Sequence, residues 1–517
     1  MFLSKKIFSA KWFPLLFIIG VALFFRLYKL KEFYGFAHDQ DLYSFIVRDI
    51  LSGHFRLIGQ LTSIDGVFIG PLYYYLLVPF YALFGYNSLS AYIVATSVAI
   101  ATLLSIYHFF YKLFSPKAAL IGVFLYASSL PLAFFDRWIV PTQPTILWSV
   151  WYLYALFITL KGDKRGLVVF GILAGLIWHI HVALLPLLFL IPVSMMMAKI
   201  DPHGLKAAVF SSSLKIRFFP RMNAGVFSLG IKYDRKYVLW AIAFFVFLTL
   251  PFWLFEIRHG FQQISGLIAS IGQDRNGIKG VERLFLAIDG VAIGFAKFIT
   301  YSRKAPFFVV YFFLSLFLAF LVKKHLLSKN QIKLLALWII LIIATQFASK
   351  RTISDYYFNN LVIVSLLIIS LFLAEISKVK RSGILIGLGL MVFGFYNLRL
   401  LFSESKNDGY FYKEKLVQEI KENAVKRDYE CIGINYVADY GAGVGFRYLL
   451  WYFNLKTVKP AFDIPVYDIY IPFYNYFPQP QIKYGLFGLK HPEERDYDFT
   501  KCSDPSYQEQ PLLGFVN

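Results

Sequence analysis

The feature that most constrains this chain is a succession of apolar runs separated by short basic clusters. A transmembrane helix takes about 20 predominantly apolar residues. Runs of that kind occupy residues 12–30, 89–114, 118–135, 144–160, 167–180, 182–198, 237–255, 306–322, 332–347, 357–376 and 383–400, which gives eleven expected spans. With 58% hydrophobic and 16% charged residues, the 517-residue chain is too apolar for a soluble globule, whose apolar share is roughly 45–50%. The expected fold is a polytopic α-helical membrane protein, residues 1–401, followed by a small C-terminal α/β domain, residues 402–517.

The net charge of +21 invites a nucleic-acid reading, but Lys and Arg fall in short clusters between apolar spans. Such clusters read as topology signals, because cytoplasmic loops are enriched in Lys and Arg. No nucleic-acid partner is expected. Lys5, Lys6 and Lys11 place the N-terminus in the cytoplasm, with the first apolar run kept as an uncleaved helix. Arg26, near the end of that run, is expected to snorkel to the interface.

Residues 71–85 are short and broken by Pro79. If they crossed the bilayer, Lys112, Lys117, Lys161, Lys164 and Arg165 would all lie outside, against the positive-inside rule. They are therefore expected to be re-entrant or to lie at the surface. The basic loop 199–236 then falls in the cytoplasm, and residues 31–88, 256–304 and 402–517 lie on the outer face.

The first outer loop carries His38-Asp39-Gln40-Asp41, after which Leu42, Phe45, Ile46 and Ile50 recur at helical spacing until Gly53. That pattern is an amphipathic helix on the membrane surface with two carboxylates at its start. The same topology brings other polar residues to the outer ends of spans: Asp136, Arg137 and Gln143; His179 and His181; Lys350, Arg351 and Asp355. Ionisable groups at span ends around one cavity suit an enzyme acting at the outer surface better than an ion pathway, which would need them at mid-membrane.

At these residues the chain resembles the GT-C glycosyltransferases, within them the protein O-mannosyltransferase and lipid A aminoarabinose transferase group. The resemblance is carried by Asp39-Gln40-Asp41-Leu42-Tyr43, Ile50-Leu51-Ser52-Gly53, Gly70-Pro71-Leu72-Tyr73-Tyr74 and Leu83-Phe84-Gly85. It extends through Arg137-Trp138 to Pro144, the stretch 171–181, and Tyr356-Tyr357. It implies transfer of a sugar from a polyprenyl-phosphate donor to a glycan, lipid or protein acceptor outside the cytoplasm, at the plasma membrane, with inversion at the anomeric carbon. The lipid-linked donor takes the place of a cofactor.

Polyprenyl phosphate is a good leaving group, so such a site needs a base for the acceptor and cations for the departing phosphate. Asp39 stands at the family's first acidic position and is the expected base, with Asp41 as the helix cap that leaves Asp39 free. The phosphate-binding candidates are Arg137, which Asp136 would hold in place, His181, which falls where the family often has Lys, and the pair Lys350 and Arg351. Tyr43, Tyr73 and Tyr74 are expected to pack the loop, and Gln143 and His179 to support the site.

The chain also departs from the family. Gln40 replaces the second acid, and Ile69-Gly70 stand where the aminoarabinose transferases have an acid-Lys pair. These changes argue against lipid A as the acceptor. Asp39 and Asp41 alone are few ligands for a hard cation, so no metal is expected.

In the C-terminal part, residues 413–426 read as an amphipathic helix and 430–437 as a strand, followed by a turn at Gly441, Gly443 and Gly445. The aromatic stretch 467–484 reads as a packed cap. Cys431 and Cys502 can form one disulfide if this part lies outside the cytoplasm. Two other function classes compete. A flippase or transporter of lipid-linked sugars would need charged residues inside its spans, and a non-catalytic assembly protein would use the outer domain as a platform.

Overall fold

The structure is a computed structural model that describes residues 12–198, 234–270, 278, 280–299, 306–349, 353–439, 444–472 and 479–509. The membrane part opens with α1 (Phe13–Leu27), and the loop behind it, expected on the outer face, holds α2 (Leu30–Phe33), α3 (His38–Leu51) and α4 (Leu72–Leu83). The bundle continues through α5 (Ala91–Leu113), α6 (Pro116–Ser128), α7 (Leu130–Asp136), α8 (Thr145–Leu160), α9 (Arg165–Ile180) and α10 (Leu190–Met197). Then come α11 (Arg235–Arg258), α12 (Gln262–Ser270), α13 (Gly280–Ala296), α14 (Phe307–Lys323), α15 (Lys329–Ala348), α16 (Val362–Ile376) and α17 (Ser382–Ser403). Short 3₁₀ turns at Val182–Phe189 and Asp355–Leu361 lead into α10 and α16.

All eleven apolar runs are helical. Among the described residues, five helices are long and apolar enough to cross a membrane, and α6 with α7 makes a sixth if that bent pair is one span. The stretch 355–376 is the central one: 78% of its most apolar window is buried, against 11% for α11 and for α17, which turn most of their surface outward. α4 has 12 residues with Pro79 inside. At about 1.5 Å per residue it covers roughly 18 Å, well short of a hydrocarbon core of about 30 Å.

The run 118–135 is not one straight helix, since α6 and α7 meet at 70°. Pro131 is the cause. It lacks an N–H and its ring collides with the carbonyl four residues back, so the helix must break. Ser129 restarts it by accepting the Leu132 N–H. The break frees the carbonyls of Tyr126 and Ala127, and the Arg26 guanidinium fills them at 3.3 and 3.1 Å. Arg26 therefore does not snorkel to the interface as the sequence suggested. It is buried.

After Ser403 the chain forms α18 (Tyr410–Lys426), β1 (Ile432–Ala438), α19 (Arg447–Tyr452), β2 (Thr457–Val458), β3 (Val466–Ile471), β4 (Ile482–Tyr484) and β5 (Phe487–Lys490). The sheet order is β2-β1-β3-β5-β4. β1 pairs parallel with β2 and β3, and β5 pairs antiparallel with β3 and β4. Cys431, just before β1, is bonded to Cys502, 71 residues on. Of the expected aromatic cap, Tyr467 and Tyr470 are buried in β3, while 473–478 lie outside the described residues, as do Gly441 and Gly443.

Two apolar cores organise the molecule. The larger one lies within the bundle and joins α5, α6, α8, α15 and α16 through residues such as Phe109, Tyr126, Trp148, Trp338 and Leu366. The second joins the loop 31–88 to the C-terminal domain: Tyr34, Tyr43, Ile46, Tyr74 and Tyr81 pack with Tyr410, Ile420, Phe446, Tyr448 and Tyr467. The loop carrying Asp39 is thus built into the same core as the C-terminal domain.

Candidate active site

α3 begins at His38, after Ala37 in extended conformation. Its cap comes from Gln40, whose Oε1 accepts the Ala37 N–H at 3.0 Å while its Nε2 donates to the Ile139 carbonyl at 3.0 Å. Asp41 does not cap its own helix, which corrects the sequence expectation. Its carboxylate reaches across to the C-terminal domain and accepts the N–H groups of Tyr448 at 2.7 Å and Arg447 at 3.2 Å, the first turn of α19. Burial pushes the Asp41 carboxyl up to about 6, against the pull of those N–H groups and of Lys413.

Asp39 sits in the first turn of α3 and is half-buried. Among the described residues no hydrogen bond or ion pair engages its carboxylate. Burial raises its pKa above the ordinary carboxylate value, with His38 pulling the other way. The phenols of Tyr74 and Tyr356 are its electrostatic neighbours. Tyr43 and Tyr34 share a buried phenol–phenol hydrogen bond, so Tyr43 packs the loop rather than facing a ligand.

Beside this loop lies a cavity of about 550 Å³, lined by Phe33, Phe134, Arg137, Trp138, Lys297, Asp355, Tyr356 and Lys406, among others. Asp39 is not part of its lining, but Tyr356 belongs to both neighbourhoods. Arg137 is buried; its Nη2 donates to the carbonyls of Phe25 and Tyr28 at 2.5 and 3.0 Å. Its Nε and Nη1 have no hydrogen-bond partner among the described residues. Phe33 and Phe134 flank the guanidinium at 5.0 and 5.4 Å. Burial lowers its pKa to about 10, which leaves it charged at neutral pH.

Asp136 does not hold Arg137. It pairs with Arg26 at 2.6 Å and also accepts the Tyr126 hydroxyl at 2.7 Å. The reason is the Pro131 break, which draws Arg26 inward and turns Asp136 toward it. Gln143 donates to the carbonyls of Ala95 and Asp136, and so ties the α7–α8 connection to α5.

His179 binds two elements together. Its Nδ1 accepts the Leu72 N–H at 3.3 Å, and its Nε2 lies 2.8 Å from the Leu248 carbonyl, to which it donates. Gly70 makes this possible, because a Cβ there would fall 2.2 Å from His179 Nδ1. His181 caps the 3₁₀ turn after α9 by accepting the Ala183 N–H, and its ring packs on Tyr356 and Tyr357. Burial lowers its pKa to about 4, so it is a neutral imidazole at physiological pH. Lys350 and Arg351 lie outside the described residues, although Ile353 to Tyr356 line the cavity.

Residues 69–206 match the family model described as dolichyl-phosphate-mannose-protein mannosyltransferase. The structure of ArnT from Cupriavidus metallidurans in the apo state is similar over 93% of this chain and 98% of its own, with a TM-score of 0.59 at 11% identity. The structure of that ArnT bound to undecaprenyl phosphate is similar over the same shares, with a TM-score of 0.53 at 11% identity. This chain has the GT-C fold. No curated protein matches it by sequence.

In this GT-C fold the cavity draws on two lysines that the sequence reading passed over. Lys297 closes the moderately apolar segment of α13, and Lys406 follows the last apolar helix. A lone Lys at the outer end of an apolar segment is the signal that could have found both. Lys413 was passed over too. It lies on the helix stripe Tyr410, Lys413, Val417, Ile420, Ala424, whose other members are apolar and buried, and that spacing marks it as inward-facing.

Proposed function

We propose that the chain is a membrane glycosyltransferase that moves a sugar from a polyprenyl-phosphate donor to an acceptor on the outer face, with inversion and with Asp39 as general base. The observation that carries this reading is the contrast within α3: the Asp41 carboxylate is fully engaged, while Asp39, two residues away, is half-buried and unengaged among the described residues. Asp39 takes the proton of the acceptor nucleophile as that atom bonds to the anomeric carbon. The bond from that carbon to the phosphate oxygen breaks, and polyprenyl phosphate leaves with the electron pair.

The raised Asp39 pKa makes it a stronger base than an exposed carboxylate, in line with tuning toward the working pH. Arg137 offers two unsatisfied donors in a buried setting, where a charge-assisted contact with phosphate oxygens is strong. Neutral His181 supports a hydrogen-bonding role toward the donor in place of a cationic one. The ArnT structure with bound undecaprenyl phosphate supports a polyprenyl phosphate as the lipid. The Cys431–Cys502 disulfide supports an extracytoplasmic C-terminal domain, since such bonds persist in oxidising compartments.

Mass spectrometry of the lipid that co-purifies with the protein tests the donor class. A polyprenyl phosphate or its glycosylated form is expected; bulk phospholipid alone, with no polyprenyl phosphate bound on addition, would overturn it.

A further inference from the structure

The segment that bears Asp39 is gripped from both sides by the C-terminal domain. Three residues before Asp39, the Phe36 carbonyl accepts the ammonium of Lys413 from α18 at 2.5 Å; the same ammonium holds the Val444 carbonyl at 2.5 Å. Two residues after Asp39, the Asp41 carboxylate holds the start of α19. Between these grips Gly445, at φ +61°, lies so close that a Cβ would sit 2.7 Å from the Phe36 oxygen and from the Ala37 carbonyl carbon. The opposite side of the turn is fixed to the membrane part through Gln40 and Ile139.

Both gripping side chains are buried ions, an expensive arrangement for a mere interdomain contact. Burial lowers the Lys413 pKa to about 8, with Asp41 raising it, so the ammonium remains charged at neutral pH. The Lys413 ammonium also lies over the rings of Phe446 and Phe487, 4.7 and 5.3 Å from their centroids. Neither ion reaches the cavity.

We propose that the C-terminal domain is a positioning element for the catalytic base, acting through Asp41 and Lys413, which fix the turn that holds Asp39 and keep it partly out of water. The inference rests on the assignment of Asp39 as base. Releasing either grip leaves the donor cavity intact but lets the turn shift and hydrate. Misplacement of a reacting group by about 1 Å costs on the order of a hundredfold in rate.

The test compares full-length Asp41→Ala, Lys413→Met and Gly445→Ala proteins with wild type in sugar transfer from a polyprenyl-phosphate donor. Asp41→Asn, which keeps one acceptor oxygen, is the milder form if Asp41→Ala does not fold. The expected result is a fall in kcat of about tenfold to a hundredfold, with donor KM and polyprenyl phosphate binding held near wild type. The acid limb of the pH–rate profile moves to lower pH, because a hydrated Asp39 loses its burial-raised pKa.

Wild-type kcat with an unmoved limb in these variants, while Asp39→Asn is inactive, would overturn the positioning role and leave the base assignment standing. Reduced transfer with donor binding weakened in parallel and an unmoved limb would make the contacts merely structural and also overturn it. Near-normal transfer by Asp39→Asn would instead remove the base assignment itself.

Discussion

Two acid–arginine sets lie close together in this chain and are treated in opposite ways. Inside the bundle, Arg26 and Asp136 form a closed pair: the carboxylate also takes the Tyr126 hydroxyl, and the guanidinium also fills the carbonyls freed at the Pro131 break. Beside the cavity region, Asp39 and Arg137 do not pair. Among the described residues one carboxylate is unengaged and one guanidinium keeps two nitrogens unpartnered beside a cavity. The closed set solves a backbone problem and has no capacity left for a ligand. The open set has capacity and no structural task that uses it all, which is the condition a reacting site needs.

That contrast can be broken at either end. The largest effect is expected at the closed pair: Asp136→Ala leaves Arg26 as an uncompensated buried charge, a loss of ~3–5 kcal/mol. It should appear as loss of folded protein in thermal unfolding, before any effect on transfer is seen. Adding Arg26→Met to Asp136→Ala removes the stranded charge and should restore part of that stability, though not all, because the Tyr126 and Ala127 carbonyls lose their donor.

At the open end, Arg137→Ala should leave the fold standing and weaken transfer and polyprenyl phosphate binding by about a hundredfold, the scale of two charge-assisted hydrogen bonds. Direct binding of polyprenyl phosphate to the purified variant checks it. An Arg137→Ala protein that unfolds like Asp136→Ala would make the two sets alike and dissolve the comparison.

The smallest effect is one of position on the pH axis. A base must be deprotonated to act, so kcat/KM rises as pH rises through the Asp39 pKa. Because burial raises that pKa, the acid limb should lie above the range of an ordinary carboxylate. A limb at or below that range would mean that Asp39 is well hydrated during turnover.

Much of this was legible in the sequence. Hydropathy alone marked every apolar helix, and the sign of the loop charges demoted residues 71–85, which form the 12-residue α4. Asp39, Arg137 and His181 stood out as polar residues at the outer ends of apolar runs. What escaped depended on long-range contacts that leave no local pattern. Arg26 read as a snorkelling residue because nothing near it announces the Pro131 break 105 residues later, although Ser-Ser-Leu-Pro inside an apolar run is a breaker signal that could have been weighed. Asp41 read as the cap of its own helix because local capping is the commonest use of such a residue; its true partners lie in α19. Lys413 was invisible as a site element because an amphipathic helix gives no sign of which distant carbonyls a lysine on its buried stripe will meet.

Proton transfer by the unengaged carboxylate of Asp39 can be separated from lipid binding by giving purified wild-type and Asp39→Asn proteins the same polyprenyl-phosphate-linked sugar and measuring bound lipid and transferred sugar in the same sample. Asp39→Asn should bind the lipid like wild type and lose transfer by about 10²–10⁴-fold, the range of a general base. Near-normal transfer by the Asp39→Asn protein would show that another group takes the proton.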